Sequence, residues 1–412
     1  WIPAPTDVTI PDVCVVGLGY IGLPTAAILA HKGLMVHGVD VNLKTVTAVR
    51  DGRVPFVEPD VGGYLSRAVA QGRMTASDAP VPARSFIIAV PTPFLPDHSA
   101  DLGHIDQASR AVAKHLSGGE LIILESTAPP GTTQRIADVV AEERPELTDL
   151  MFAHCPERVL PGRVMVELVE NDRIVGGLTP EAADAARDLY QVFCQGEILL
   201  TDAATAEMAK LVENSFRDVN IAFANELSVI CHELGIDVWE LIKLANHHPR
   251  VNILQPGPGV GGHCIAVDPW FIVAAAPGTS RLIKTAREVN DAKPGWVLDQ
   301  IQAAVTHPEP TIAMLGLAFK PNIDDIRESP AIDIVRAYAS HHPEARVLAV
   351  EPHIAQLPAV LSNLNNVTLT PPDEAVAAAD VVVMLVDHDA FRALPPGRLK
   401  GKTVVDTKGL WS

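Results

Sequence analysis

The sequence predicts an α/β protein in which two doubly wound, parallel-sheet domains are joined by a long-helix central domain. Three observations carry this. Short apolar strands alternate with helical stretches through the first half of the chain, a run from Asp202 to Leu234 contains neither Gly nor Pro, and the strand–helix alternation resumes at Thr311. Apolar strands alternating with helices imply a parallel sheet covered on both faces. At 412 residues the chain exceeds what one core serves. The expected division is 1–200, 201–295 and 296–412.

The elements follow in order. VCVVG (Val13 to Gly17) reads as a buried strand, and a helix runs from about Gly22 to His31. MVHGVD (Met35 to Asp40), SFIIAVP (Ser85 to Pro91) and LIILEST (Leu121 to Thr127) are further strands. Between Asp202 and Leu234, Met208, Leu211, Phe216, Val219, Phe223, Leu227 and Ile230 recur at or near three- and four-residue steps. That spacing predicts one helix of roughly 45–50 Å, a length suited to a spine or a dimer interface. Gly235 sits where a C-terminal cap belongs, and VWELIKLAN (Val238 to Asn246) starts another helix. TIAMLGLAF from Thr311, RVLAVEP (Arg346 to Pro352), DVVVMLVD (Asp380 to Asp387) and KTVVDT (Lys402 to Thr407) supply the later strands. The two α/β parts are expected to share an architecture without a visible sequence repeat.

Composition narrows the function. A formal net charge of −18 argues against a nucleic-acid or anionic-membrane partner, since both need a basic surface. Five widely spaced cysteines (Cys14, Cys155, Cys194, Cys231, Cys264) form no CxxC pair, which points to a reducing cytoplasm and to neither a disulfide framework nor a metal site. The 18 uncharged residues from Val13 to Ala30 are long enough for a membrane span, but Gly17, Gly19, Gly22 and Pro24 interrupt them. A signal-peptide pattern is not expected.

Gly17-x-Gly19-x-x-Gly22 lies between a strand and a helix, with Asp40 at the end of the next strand. The glycines permit a tight turn and let backbone approach a pyrophosphate at the positive end of a helix. Asp40 suits a ribose 2′-hydroxyl and would repel a 2′-phosphate, so NAD is expected over NADP. This is the Rossmann-like arrangement; an empty Gly-rich turn is the alternative.

GPGVGGHCIAVDPWF (Gly257 to Phe271) places five glycines and prolines ahead of a lone thiol, Cys264. Either Cys264 is a packing residue after a turn, or the loop brings a ligand against its sulfur. Lys210 and Asn214 stand four apart on one face of the long helix, Glu157 lies in HCPER, Asp268 follows Cys264 by four, and Lys320 and Arg327 flank PNIDDI. Singly, these read as a solvated stripe, a loop charge, a helix cap and surface charges balancing Asp324 and Asp325. Together they supply the parts for oxidising an alcohol beyond the aldehyde: a thiolate, oxyanion donors and carboxylates for proton transfer.

The chain resembles the UDP-glucose/GDP-mannose dehydrogenases over nearly its whole length. The marks are GLGYIGLP (Gly17 to Pro24), ESTAPPGTT (Glu125 to Thr133), AEMAKLVENSFRDVNIAFANEL (Ala206 to Leu227), GVGGHCIAVDP (Gly259 to Pro269) and GLAFKPNIDDIRESPAIDIV (Gly316 to Val335). The resemblance implies a four-electron oxidation of a UDP-sugar C6 hydroxyl with two NAD consumed, and a homodimer through the central helix. It implies Cys264 as nucleophile and Lys210 and Asn214 as oxyanion donors, with Glu157, Thr127 and Asp268 supporting proton transfer. It assigns Gly17, Gly19, Tyr20, Ile21, Gly22, Asp40, Thr92, Thr127 and Arg327 to the cofactor. To the substrate it assigns Glu157, Arg158, Lys210, Asn214, Arg250 (across the dimer), Gly259, Gly261 and Lys320. The UDP-glucose branch tends to have NPEFL where this chain has Pro156 to Leu160, and Ser at His263. RDVNIAFANEL and PGVGGHCIAVDPWF instead resemble the branch acting on UDP-N-acetyl-D-mannosamine, with the UDP-N-acetylglucosamine branch next. A two-electron dehydrogenase of the hydroxyacid kind or a non-catalytic sensor are the rival classes; they would form one NADH or none per sugar, against two.

Overall fold

The computed structural model describes residues 10–160, 162–262 and 264–411, so His263 lies outside the described residues. The chain divides into two compact units, one through Val212 and one from Glu213. The first is built on eight strands: β1 (Val13–Val16), β2 (Val36–Val39), β3 (Met74–Ser77), β4 (Ser85–Ile88), β5 (Leu121–Leu124), β6 (Met151–His154), β7 (Arg173–Gly177) and β8 (Ile198–Asp202). Their order is β3-β2-β1-β4-β5-β6-β7-β8. All pairs are parallel except β6 with β7, where Ala153 faces Gly177 and His154 faces Gly176 in antiparallel register. That one pair departs from the parallel pattern, because an antiparallel neighbour needs no crossover back along the sheet.

Period-two alternation sorts the strand residues onto two faces. Val13, Val15, Ile87 and Ile123 pack with Leu23, Ala26 and Leu29 of the helix Gly22–His31. Cys14, Val16, Phe86, Ile88, Ile122 and Leu124 pack on the opposite side with Ile105, Val112, Ile136 and Val140. The uncharged run from Val13 to Ala30 is therefore a central strand, a turn and a buried helix. No helix among the described residues is long and apolar enough to cross a membrane.

The second unit holds β9 (Thr311–Leu315), β10 (Arg346–Val350), β11 (Val367–Leu369), β12 (Val381–Met384) and β13 (Thr403–Asp406), all parallel, in the order β11-β10-β9-β12-β13. This repeats the order of β3-β2-β1-β4-β5. Ile312 and Met314 face one core while Ala313 and Leu315 face the other. The correspondence extends to the turn after the first strand, a match hidden from sequence inspection. Gly17 has φ +101 and Gly316 φ +97. Each donates its N–H to the residue closing the neighbouring strand, Val39 or Val350, at 2.8 Å. Gly17-Leu18-Gly19-Tyr20 thus aligns with Gly316-Leu317-Ala318-Phe319. The two then diverge: a helix begins at Gly22, whereas Pro321 opens a loop and the next helix waits until Pro330–His341.

The long helix spans Ala203–Leu234 and Gly235 follows it at φ +68, as expected of a cap. Its apolar stripe is not wholly buried. Phe216, Phe223 and Ile230, seven residues apart, are 69%, 52% and 43% exposed in the single chain. The boundary at 200 falls inside β8, and that at 295 falls inside the helix Arg281–Ala304.

At Gly316 a Cβ would collide with the Val386 side chain as well as meet an unfavourable φ. Gly316→Ala is therefore expected to cost roughly 2–4 kcal/mol of stability. Gly278→Ala, where a Cβ meets nothing within 4 Å, serves as the control. Denaturant unfolding measures both, and equal midpoints for the two variants would contradict the steric argument.

Candidate active site

In the first unit the strand order reverses direction between β1 and β4, and ligands of such sheets settle at the carboxyl ends of the strands at that point. Gly17 closes β1 there. A Cβ on it would collide with the Ala89 carbonyl just beyond β4, and one on Gly22 with the Gly17 carbonyl, whereas Gly19 faces open space. Ile21 is the N-cap residue of the following helix, and its first turn carries no acidic side chain to compete with an anion. The Asp40 carboxylate accepts the Leu18 N–H at 3.0 Å and the Asn42 N–H at 2.8 Å, which holds it against the glycine turn. Tyr20 stacks on Phe56 with ring centroids 4.2 Å apart. Thr92 donates its hydroxyl to the Thr127 carbonyl at 2.6 Å, bringing those two residues together beyond β4 and β5. These features fit a dinucleotide: backbone without side chains where a pyrophosphate would lie, and an acid at the end of the second strand.

Glu157 is not an exposed loop charge. It and Arg173 are 5% exposed at their side chains and form an ion pair at 3.1 Å. Glu157 also accepts the N–H of Arg158 at 2.7 Å, and Arg158 reaches the Asp172 carbonyl at 3.2 Å. The Arg173 guanidinium lies 4.9 Å from the Tyr190 ring centroid and 5.1 Å from that of Phe193. Burial alone would lower its pKa, but the Glu157 carboxylate and further negative neighbours hold it well above its ordinary value. Tyr190 donates to Glu125 at 2.6 Å, and Thr25, on the helix of the glycine turn, donates at 3.2 Å. One buried cation thus serves two buried carboxyl groups. Burial, then repulsion from Glu157, push the Glu125 carboxyl up to about 7.

Glu207 anchors the start of the long helix, accepting the N–H groups of Gly131 and Thr133 and the Thr133 hydroxyl, each at 2.6 Å. The ESTAPPGTT segment therefore positions the helix three residues before Lys210, which is half-buried. In the second unit, Asn214 donates its side-chain N–H to the Asp268 carboxylate at 2.6 Å. Asp268 is buried and opens the helix Asp268–Ala275, but Val267 is its N-cap, so the simple capping role is excluded. Farther along the helix, Asn225 accepts the Gly257 N–H at 2.9 Å and donates to Asn290 at 2.8 Å. The loop between these anchors carries Cys264, which is exposed and hence no core packing residue.

The same loop lies against the segment holding Lys320. A Cβ on Gly259 would stand 2.9 Å from Pro330, one on Gly261 would collide with the Glu328 carbonyl, and one on Gly262 would touch the Phe319 ring. Lys320 places its ammonium 5.8 Å from that ring. Arg327 pairs with Asp325 at 2.7 Å, matching the surface-charge alternative, and Arg250 is exposed. Asn214, Gly259, Gly261, Cys264, Asp268 and Lys320 thus share connected elements of the second unit. Glu125, Arg173, Glu207 and Asn225 went unread in the sequence. An arginine opening the apolar strand RIVGG and a glutamate directly after LIIL were the available signals, since buried charges require partners.

The folded-state pKa of Glu125 lies above its ordinary 4.5. Between about 4.5 and about 7 the native chain binds more protons than the unfolded one, so stability falls as pH rises through that window. The full decline is on the order of 3 kcal/mol. Glu125→Gln is expected to melt near the wild type at pH 5 and above it at pH 8. Calorimetric scans at both pH values check this, and identical pH dependence in the two proteins would contradict it.

The UDP-glucose/GDP-mannose dehydrogenase family matches through its NAD binding domain at residues 11–194, its central domain at 204–292 and its UDP binding domain at 313–412. The chain is 56% identical over 416 residues to the NDP-N-acetyl-D-galactosaminuronic acid dehydrogenase of Ralstonia nicotianae, covering 98% of this chain and 97% of the relative. It is 55% identical over 417 residues to the UDP-N-acetyl-D-mannosamine dehydrogenase of Salmonella typhi, covering 97% and 99%. The solved UDP-D-ManNAc dehydrogenase of Pyrococcus horikoshii superposes with a TM-score of 0.85 at 37% identity, covering 97% of this chain and 95% of that one. With three consecutive family domains and full-length relatives above half identity, the chain belongs to the UDP-glucose/GDP-mannose dehydrogenase family.

Proposed function

We propose that the protein oxidises the C6 hydroxyl of UDP-N-acetyl-D-mannosamine to the carboxylate, in two NAD-dependent steps joined by a covalent intermediate on Cys264. The observation that carries this reading is the exposed Cys264 on a glycine loop pinned to the long helix by the Asn214–Asp268 hydrogen bond. The branch-like motifs around Cys264 and the relative from Salmonella typhi support the choice of sugar. A galactosamine-derived sugar nucleotide is the second reading, favoured by the name of the relative from Ralstonia nicotianae.

Bound NAD supplies the two-electron acceptor for each oxidation. Gly17, Gly19, Tyr20, Ile21, Gly22, Asp40, Thr92 and Thr127 would hold it, and Arg327 is assigned to it as well. In the first oxidation the C6 hydroxyl loses its proton toward the carboxylates and becomes an aldehyde; Glu157, Asp268 and Thr127 serve this transfer. The Cys264 thiolate then adds to the aldehyde carbon, giving a thiohemiacetal whose developing oxyanion meets the Lys210 ammonium and the remaining donor capacity of Asn214. The second oxidation leaves a thioester. Water opens it to the carboxylic acid and returns the thiol. Gly259 and Gly261 form the bed of the sugar nucleotide, and Arg158, Lys320 and Arg250 contact it, the last from a second copy.

The division into 1–200 for NAD, 201–295 for dimerisation and 296–412 for the UDP-sugar belongs to the same reading. A homodimer through the long helix is supported by the apolar row Phe216, Phe223 and Ile230, which a second helix would remove from water. The odd cysteine count supports residence in the reducing cytoplasm.

A panel of UDP-sugars assayed for NADH tests the substrate. Two NADH per UDP-N-acetyl-D-mannosamine are expected. Robust turnover of UDP-glucose with none of the N-acetylated sugars would sink the assignment. For the chemistry, Cys264→Ser retains volume but loses nucleophilicity, because a serine hydroxyl stays protonated near neutral pH. It is expected to bind both ligands and stall, releasing at most about one NADH per site in a burst. Steady turnover to two NADH per sugar by this variant would remove Cys264 from the chemistry.

A further inference from the structure

Glu351 and His388 are buried in the second unit, at 4% and 0% exposure, and the mechanism above does not use them. Glu351 follows β10 and occupies the place that Asp40 has after β2. Its Oε2 accepts the N–H groups of Leu317 at 2.8 Å and Ala318 at 3.0 Å, and meets His388 Nε2 at 2.9 Å. Its Oε1 accepts the His353 N–H at 3.1 Å. Burial would raise this carboxyl, but the His388 and backbone donors outweigh it and hold it below the usual range.

His388 stands four residues past the end of β12, as Thr92 stands four past the end of β4. The Asn322 N–H lies 2.9 Å from His388 Nδ1. A backbone N–H only donates, so Nδ1 accepts and the ring proton sits on Nε2, directed at Glu351. Asn322 is at φ +60, and its side-chain oxygen accepts the Asp389 N–H at 3.0 Å. The stretch from Leu317 to Asn322 is therefore tied at both ends to one buried pair. Lys320 lies between the ties, next to Phe319, whose ring backs Gly262 in the Cys264 loop.

We propose that Glu351 and His388 are positioning residues that latch the Leu317–Asn322 loop and thereby present Lys320 preformed to the sugar nucleotide. This rests on the reading of Lys320 as a substrate contact. The latch resolves a local problem of the fold. Where the first unit starts a helix at Gly22, Pro321 leaves the second unit with a loop whose backbone N–H groups need other partners. Preordering that loop spares the substrate the entropy of fixing it on binding. Glu351, His353 and His388 also bring donor atoms within 4.8 Å of one another, as a metal site would. Three N–H donors already converge on one Glu351 oxygen, however, and both His388 ring nitrogens have partners, so hydrogen bonds account for the set.

Two substitutions separate the ends of the latch. His388→Gln retains a donor toward Glu351 and loses the acceptor for Asn322; His388→Asn places an acceptor near the position of Nδ1. In His388→Gln the KM for the UDP-sugar is expected to rise roughly tenfold, the scale of one lost hydrogen bond. Its KM for NAD and its kcat should stay within about twofold, and amide exchange across residues 317–328 should quicken. His388→Asn should restore most of both readouts. Should His388→Gln not fold, Glu351→Gln, whose amide must set an N–H donor against one of the N–H groups the carboxylate now accepts, should still quicken exchange in the same stretch. Unchanged exchange and KM in these variants, indistinguishable Gln and Asn substitutions, or a stoichiometric metal ion lost on His388→Gln would each overturn the proposal. The exchange readout is independent of what Lys320 touches. A Lys320→Ala variant with unchanged KM, beside a loosened loop in His388→Gln, would reject the substrate role of Lys320 and leave the loop tie standing.

Discussion

Two asparagine side chains on one helix suspend the segment that carries Cys264. Asn225 takes the N–H of Gly257 at the start of the loop, and Asn214 donates to Asp268 at its end. The anchors lie eleven residues apart, roughly 16 Å along a helix. A glycine-rich segment has few side chains with which to fix itself and loses much conformational freedom when ordered. Its position must come from its ends and from what presses on its middle. The ends belong to the long helix; the middle rests on Pro330, Phe319 and the Glu328 carbonyl, where only glycine fits. Glu207 ties the first turns of that helix to the Gly131–Thr133 turn, so Lys210 is referenced to the sheet of the first unit.

The first unit has a second organising feature, the sharing of Arg173 by Glu157 and Glu125. A buried guanidinium with two carboxyl neighbours neutralises one of them fully. Glu157 has the short ion pair, while Glu125 is held by Tyr190 and Thr25 and titrates near neutrality. Glu157 is thereby fixed in orientation and backed by a positive charge, unlike a flexible surface carboxylate. Thr25 also links this cluster to the helix that follows the glycine turn.

The two sheets show how one architecture serves two ligand types. Both start with a strand, a glycine at positive φ and an acid at the end of the neighbouring strand. The divergence begins at Ile21 and Gly22 against Lys320 and Pro321. In the first unit the chain turns at once into a helix, leaving its N-terminal N–H groups for a pyrophosphate. In the second, proline and a long loop bring a lysine forward instead, and the chain's own Glu351 and His388 take up the loop's backbone donors.

Much of this was legible in the sequence. The strands β1, β2, β4, β5, β9, β10, β12 and β13, the helix Gly22–His31 and the long helix to Leu234 follow from apolar periodicity and the placement of Gly and Pro, which are local properties, whereas β3, β7, β8 and β11 went unread. The glycine turn with Asp40 and the lone thiol after a glycine loop were likewise recognisable, because their residue types and spacing carry the chemistry. The antiparallel turn of β7, the exposed row on the long helix and the repeated turn at Gly316 were not. Nor were the partners of the charges: Glu125 meets Tyr190 across 65 residues of sequence, and His388 meets Glu351 across 37. The sequence by itself determined the element order and the kinds of group available for catalysis. Only the tertiary structure decided which carboxylates are buried, what neutralises them and what fixes the glycine-rich loop around Cys264, because pairing between distant residues depends on how layers pack and not on periodicity within a segment.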